Sequence, residues 1–557
     1  MKSLSVVLDF FQAGDAVDGE EAFTELTSNS RQWERQTLFI ALPGEKSDAL
    51  DYVKPNDDRG KVVLTELSND DRRQQRVEQL KSSGVKVIEI AGLRERLAEF
   101  ADWFYDHPSQ KLKVMGVTGT NGKSSTAYYA VQILEACGIK AGLMGTLGNG
   151  FLGDLQATAN TTPDVVSVHR WLAWFVSQGA QAVVMEVSSH AVALGRIAKV
   201  QFAALALTQV TSDHLDFHKT LENYRATKKL WFEAYGVSGH SYWVLNVADV
   251  VSAELAQMAK ERGVLAVHYA VTPKNALVTD ALDLSCQDYA LLSNGIAGNL
   301  RVEGETYPCR TSLMGEFNIE NLLCALGLVM PQGFAWQEVL SAVEALKPVP
   351  GRMQVIKIEE QDKNLPTVIV DYAHTADGLA QALSACRQHK DQSGTNGKVW
   401  CVFGCGGERD VTKRPQMGAT AFEKADFVVV TNDNPRCEPP QKIAKEILLG
   451  MPLSSEQKSG LEALLLQGRT GNSEQVLKIF PPQKAGKPVM VLLDRKSAIE
   501  WVIQQARPED SVLIAGKGHE TYQQLCDQTL SFSDAICAEQ ALLNRVKRYE
   551  KERRSEK

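Results

Sequence analysis

An excess of positive charge, which nucleic-acid binding needs, is missing from this 557-residue chain. It has 60 Lys and Arg against 68 Asp and Glu, a net charge of -8, and no basic block long enough to follow a phosphate backbone. Long apolar runs are missing too, so no segment reaches the length needed to span a bilayer. The opening residues, MKSLSVVLDFF, carry one lysine and an apolar run that Asp9 interrupts, which is not the pattern of a signal peptide. The ten cysteines include no CxxC pair and no metal-ligand spacing; Cys401 and Cys405 read as small core residues. A reducing, cytoplasmic setting is therefore expected. What is present is the composition of an ordinary globular protein, 44% apolar and 23% charged.

The length predicts about three domains at roughly 150 residues each. Residues 1–110 mix short apolar runs such as TLFIAL with charged stretches and read as a small α/β unit. Residues 111–347 open on an apolar strand, KLKVMGV, a Gly-rich loop and the helical stretch SSTAYYAVQILEAC, stopped by Gly138; AQAVVMEV and FAALALTQV follow as strands. The stretch KPVPGR reads as a linker. Residues 348–557 contain four apolar strand candidates, TVIVDY, VWCVFG, FVVVTN and SVLIAG, each ending in a polar cluster: AHTADG, CGGERD, DNPR and GKGHE. Ligands bind beyond the carboxyl ends of strands in open parallel sheets, so this convergence predicts a ligand site. The polar stretch between Cys437 and Lys487 reads as an insertion, and the basic tail as a solvated helix end.

The run GVTGTNGKS at 116–124 has the character of a phosphate loop, in which backbone N–H groups and a lysine hold phosphates and a hydroxyl ligates Mg²⁺. Val117 stands where the general pattern has glycine. Gly119, Thr120, Asn121, Gly122, Lys123, Ser124 and Ser125 are the expected ATP contacts, Ser124 also a metal ligand. The same letters, GTNGK, recur at 394–398, but there they precede a strand, so Lys398 reads as a surface residue. Glu186 ends an apolar run where an unpaired carboxylate is costly and a bound cation would resolve the cost. His214 follows FAALALTQV at a strand's carboxyl end, where metal or phosphate contact is expected. Lys228 in YRATKK reads, on physics alone, as a surface helical lysine.

In order and spacing, TGTNGKS, NTTPD, MEVSSHAVALGR, SDHLDFH, YRATKK, GEFNIEN, DYAHTADG, GCGGERD, TNDNPR and GKGHE resemble the Mur ligase family over nearly the whole chain. The resemblance implies an α/β protein of three domains: a UDP-sugar-binding N-terminal one, a central P-loop ATPase-type one with a mostly parallel sheet, and a Rossmann-like C-terminal one for the amino acid. It also implies an ATP-dependent, ADP-forming amide ligase of peptidoglycan precursor synthesis. Its substrates would be ATP, meso-diaminopimelate and UDP-N-acetylmuramoyl-L-alanyl-D-glutamate. Ser30, Asn160, Thr161, Thr162, Ser188 and Arg196 then look like nucleotide-sugar-peptide contacts, and Asn318, Arg352 and His374 like ATP contacts, with His374 carried to the reaction centre by domain closure. Lys228 matches a lysine that becomes carbamylated to N6-carboxylysine and joins Ser124, Glu186 and His214 around Mg²⁺. Lys123, Glu186, His214, Lys228 and His374 are the implied catalytic set.

The DNPR segment resembles the diaminopimelate-specific form. An Arg436 guanidinium can grip the far carboxylate of diaminopimelate in a bidentate pair, where lysine presents an ammonium that it would repel. Arg409, Asp433, Asn434, Gly516 and Glu520 complete the expected amino-acid site. A ligase for another amino acid such as lysine, and a non-catalytic nucleotide-binding relative, are the competing expectations; a monomer without nucleic-acid or membrane partners is expected in each case.

Overall fold

A computed structural model describes residues 1–13, 21–44, 47–54, 62–211, 215–237, 239–272, 282–292, 294–358, 365–392, 394, 396–453 and 487–555. His214 and most of the expected insertion, 454–486, lie outside the described residues. The chain is α/β, and its described residues group into two compact units, Met1–Ala270 with Asn321–Val339 and Ser285–Glu320 with Leu340–Lys557.

In the first unit, residues 1–110 keep a sheet of their own. Strands Glu25–Thr27, Thr37–Ala41, Val62–Glu66 and Lys86–Ile90 run parallel in sequence order. Their side chains divide by the period of two that a strand imposes. Leu38, Ile40, Val62 and Leu64 pack on one face with Phe11 and Phe100, while Phe39, Ala41 and Val63 pack on the other with Trp33 and Leu80.

The larger sheet of this unit centres on Lys113–Thr118. Ala182–Glu186 and Ala204–Leu207 flank that strand in parallel, Ala141–Gly145 lies beyond the first, and Tyr242–Asn246 and Leu265–Val271 beyond the second. Every residue of Ala182–Glu186, Ala204–Leu207 and Tyr242–Asn246 is buried, which is why these strands read as unbroken apolar runs rather than alternating ones. Val117 belongs to this core: it is paired with Glu186 and Ala206 and is fully buried. The strand therefore runs on through Thr118, and the glycine-dependent turn begins only at Gly119.

The second unit carries a parallel sheet in the order Thr367–Asp371, Ser511–Ala515, Val399–Phe403, Phe427–Val430, Val489–Val491, with Gln354–Val355 antiparallel at its edge. Alternation again sets the two faces. Ile369, Cys401, Phe403, Val428, Val430 and Leu513 pack with Leu383 and Met417, whereas Val368, Val370, Val402, Val429, Val512 and Ile514 pack with Ile499 and Leu542. The strand Val489–Val491 was not read from the sequence, and neither was the antiparallel hairpin of Gly295–Val302 and Glu305–Thr311. The hairpin turn rests on Glu303 (φ 49°) and Gly304 (φ 90°), two consecutive left-handed residues of the kind that close two-residue hairpins.

One ion pair ties the sheet of the second unit to its C-terminal helix. Arg495 and Asp534, both fully buried side chains, meet at 2.7 Å, and Arg495 also donates to Ala515 O (2.9 Å) and Asn432 O (3.1 Å). Removing one partner leaves a buried charge without compensation. Arg495→Met is therefore expected to destabilise this unit by about 3–5 kcal/mol, read as a shift in its urea transition; a loss below about 1 kcal/mol would contradict the role. Among the described residues, no helix is long and apolar enough to cross a membrane.

Candidate functional site

In the first unit, the strand Lys113–Thr118 hands over to the helix Lys123–Ala136 through the turn Gly119–Gly122. The tightness of this turn explains its glycines. Gly119 has φ 148°, and a Cβ there would stand 1.8 Å from Thr208 Oγ1; Gly122 has φ 87°, and its Cβ would stand 2.3 Å from Asn321 Oδ1. The turn ends on a helix N-terminus whose first N–H groups have no intrahelical partner, an arrangement suited to phosphate. Lys123 Nζ donates to Gly119 O and Thr120 O, both at 2.9 Å, which folds the ammonium back over the loop. Ser124 follows at the start of the helix, half-buried, and Ser125 is buried beneath.

The second GTNGK stands elsewhere. Lys398 is exposed at the amino end of Val399–Phe403, with its N–H bonded to Asp510 Oδ1 at 2.7 Å, and no helix N-terminus follows it.

Glu186 is 1% exposed at the carboxyl end of its strand. Its Oε1 accepts from Thr146 N at 2.8 Å and its Oε2 from Thr146 Oγ1 at 3.3 Å. Several expected substrate contacts gather around it. Thr146 Oγ1 lies 3.0 Å from Thr161 Oγ1; Thr162 Oγ1 donates to Glu186 O (2.8 Å) and accepts from Ser188 N (3.1 Å); Arg196 donates to Thr162 O (3.0 Å). Asn160 is exposed on the same loop, its carbonyl accepting from Thr158 Oγ1 at 2.9 Å. Ser30 opens the short turn Ser30–Gln32, capped by Asn29; two residues earlier, Ser28 Oγ donates to Asp164 Oδ1 (3.2 Å) at the end of the NTTPD segment.

Lys228 overturns its surface reading. On the helix Leu221–Tyr235 it is 1% exposed, and its Nζ donates to Gly119 O (3.0 Å) and Thr118 Oγ1 (3.2 Å) above the Tyr224 ring. Lys229, one residue on, points outward and pairs with Glu254 at 2.5 Å. One residue turns a helix by about 100°, enough to separate the two fates. Sequence reasoning missed His218, buried with its Nε2 2.9 Å from Ser189 Oγ, and Thr146, which no motif contained.

In the second unit the four polar clusters lie together at the carboxyl ends of the parallel strands. Gly516 N donates to Asp371 O (3.1 Å), and Gly407 N donates to Asn434 O (2.9 Å). Gly516 has φ 118°, and a Cβ there would stand 2.6 Å from Asp433 Oδ2. Asp433 and Asn434 are buried. Burial pushes the Asp433 carboxyl above the usual carboxylate range, with Arg495 and Lys517 pulling the other way. Asn434 is held at both ends: its Nδ2 donates to Glu520 Oε2 (2.9 Å) and its Oδ1 accepts from Lys517 Nζ (2.9 Å). Lys517 is fully buried and also contacts Glu520 Oε2 at 2.8 Å. It positions two expected amino-acid contacts, yet it sits inside the quoted GKGHE and was passed over for its neighbours.

Arg436 donates through Nη1 to Gly407 O at 2.8 Å. Arg409 is exposed on the neighbouring GGERD loop. That loop is anchored by buried Arg414, which donates to Gly406 O (3.0 Å) and pairs with Glu438 (2.7 Å) and Glu446 (2.5 Å). Its hydrogen bonds hold the Glu438 carboxyl far below the usual range. Arg352 lies 4.7 Å over the Tyr372 ring, and His374 Nδ1 donates to Tyr372 O at 2.8 Å. Asn318 is buried and donates to Met314 O at 2.7 Å.

Such a pair of clusters can bind a polyphosphate on one unit and an amino acid with several charged groups on the other. Among the described residues, no three His, Cys, Asp or Glu side chains converge as a ready metal cage.

Similarity to known proteins agrees with this geometry. Residues 117–329 match the Mur ligase middle domain, and residues 351–518 match the Mur ligase glutamate ligase domain. The UDP-N-acetylmuramoyl-L-alanyl-D-glutamate–2,6-diaminopimelate ligase of Coxiella burnetii is 36% identical over 97% of this chain and 99% of its own length. The ligase of the same name from Neisseria meningitidis is 36% identical over 93% of this chain and 95% of its own. A solved structure of a UDP-N-acetylmuramoyl-L-alanyl-D-glutamate–2,6-diaminopimelate ligase superimposes with a TM-score of 0.63 at 26% identity, covering 97% of this chain and 99% of that one.

Proposed function

The chain belongs to the Mur ligase family, and from that premise we propose that it joins meso-diaminopimelate to UDP-N-acetylmuramoyl-L-alanyl-D-glutamate at the expense of ATP. The observation that carries the choice of amino acid is the set Asp433, Asn434, Arg436 and Glu520 gathered at the carboxyl ends of the parallel strands. Asp433 and Glu520 serve the ammonium groups of diaminopimelate, Arg436 its far carboxylate, and Gly516 leaves the close approach open. Arg409 stands ready for a further carboxylate.

The three-domain division at 110 and 347 is kept as part of the proposal. It is supported by the separate sheets of residues 25–90, 113–311 and 354–515. Ser30, Asn160, Thr161, Thr162, Ser188 and Arg196 are proposed to hold the nucleotide-sugar peptide, and Asn318, Arg352 and His374 the ATP.

In the reaction, the D-glutamyl side-chain carboxylate attacks the γ-phosphorus of ATP, ADP leaves, and an acyl phosphate forms. The diaminopimelate amine then adds to the acyl carbon, and loss of phosphate with a proton leaves the amide. Lys123 and the N–H groups of Gly119 to Ser125 offset phosphate charge throughout. Mg²⁺ bound with the nucleotide supplies further charge neutralisation. Ser124 and Glu186 fit its preference for oxygen, Glu186 as a buried anion that a cation would compensate. Lys228 as an ammonium does not fit; as N6-carboxylysine it becomes an oxygen donor, and its buried place beside Thr118 and Gly119 supports that modification. His214, outside the described residues, completes the set that family membership implies. A cytoplasmic setting follows from the nucleotide substrates, and a monomer suffices because one chain carries both clusters.

Supplying purified protein with ATP, nucleotide dipeptide and one amino acid at a time tests the proposal. Product of the mass expected for the diaminopimelate tripeptide supports it; ligation of lysine in preference would refute the assignment. Arg436→Ala should raise KM for diaminopimelate by about a hundredfold, the loss of roughly 3 kcal/mol of charge-assisted hydrogen bonding, with KM for ATP nearly unchanged.

A further inference from the structure

Arg436 stands next to a covalent cross-link that the sequence did not announce. Cys437 and Cys526, 89 residues apart, form a disulfide with Cα atoms 4.1 Å apart. It joins the DNPR loop to the tip of the hairpin made by Tyr522–Gln524 and Thr529–Ser531. Hydrogen bonds run along the same seam: Arg436 N donates to Gln524 O (3.1 Å), Gln524 N to Asn434 Oδ1 (2.9 Å), and Gln523 Nε2 to Asp433 O (2.8 Å). Arg436 itself has φ 51°, a left-handed conformation that a residue with a Cβ keeps only when its surroundings hold it. The hairpin thus grips three of the proposed specificity residues, Asp433, Asn434 and Arg436, and the disulfide closes the grip.

The two sulfurs also differ from the other cysteines. Cys437 and Cys526 are exposed, while Cys386, Cys401 and Cys405 are buried, and burial pushes the Cys386 and Cys405 thiols up to about 12. An external thiol can therefore reach the bond beside Arg436, which the buried cysteines do not offer.

We propose that the Cys437–Cys526 disulfide is a positioning element for Arg436, so that selection of an amino acid with a far carboxylate is tight in the oxidised chain and relaxed in the reduced one. The inference rests on the amino-acid site proposed above. Reduction by a dithiol breaks the S–S bond: the bridge takes up two electrons and two protons, and the dithiol closes to its own cyclic disulfide. In a reducing compartment an exposed bridge of this kind follows the thiol poise, which makes amino-acid selectivity redox-dependent.

The test uses the full chain purified without reductant. KM for diaminopimelate is measured before and after dithiothreitol, with free thiols counted by alkylation and mass spectrometry. Reduction should raise KM for diaminopimelate about tenfold and lower the preference for diaminopimelate over lysine, leaving KM for ATP within about twofold. Cys526→Ser should start at the reduced value and ignore dithiothreitol. An unchanged KM once the thiols are shown to be free overturns the proposal, as do two free thiols at these positions before any reductant is added. Failure to ligate diaminopimelate in either state would overturn the function itself; equal ligation in both would overturn the staple alone.

Discussion

Phosphate release by the Lys123→Ala variant is expected to fall by at least about a thousandfold, roughly 4 kcal/mol of lost transition-state stabilisation. Alanine there is expected to leave the fold intact. Its Nζ meets two backbone carbonyls of its own loop, Gly119 O and Thr120 O, and it lies half-buried at the start of a helix where alanine is well tolerated. Melting temperature should therefore stay close to that of the parent while turnover disappears. A variant that keeps a tenth or more of the parent rate would mean that the loop does not hold the transferring phosphate.

Lys228→Ala is expected to be as damaging, and its neighbour supplies the control. Lys229→Ala should leave turnover within about twofold, because its ion pair with Glu254 lies at the surface and contributes little. Lys228→Arg separates two roles of the buried residue. It keeps a positive charge but cannot take up carbon dioxide, so a carbamate-dependent site should lose about a thousandfold in it as well. Parent-like activity in Lys228→Arg would exclude the carbamate, and equal losses at 228 and 229 would exclude a specific role for either.

Lys228 also marks where sequence reasoning runs out. A lysine pair on a polar helix carries no local sign of which member faces inward; only the packing of that helix beside the phosphate loop decides it, and family resemblance had to supply the choice. The strands were legible because burial on both faces leaves long apolar runs, and the polar clusters at their carboxyl ends stood out against them. Val117 looked like a flaw in the phosphate loop because the general pattern has glycine there; sheet pairing shows it to be core, and the glycine-dependent turn starts two residues later, at Gly119. The hairpin at Glu303 and Gly304 escaped because its strands are half polar. Cys437 and Cys526 escaped for another reason: 89 residues separate them, and a contact of that range leaves no periodic trace. Lys517 and Arg495 act through the groups they hold in place, so nothing in their own surroundings along the chain singles them out.

ADP formation measured with each substrate omitted in turn tests the central claim most directly. The account predicts ADP only when ATP, UDP-N-acetylmuramoyl-L-alanyl-D-glutamate and meso-diaminopimelate are all present, in equal amounts with the tripeptide product. ADP released at the same rate without the nucleotide dipeptide or without the amino acid would contradict it.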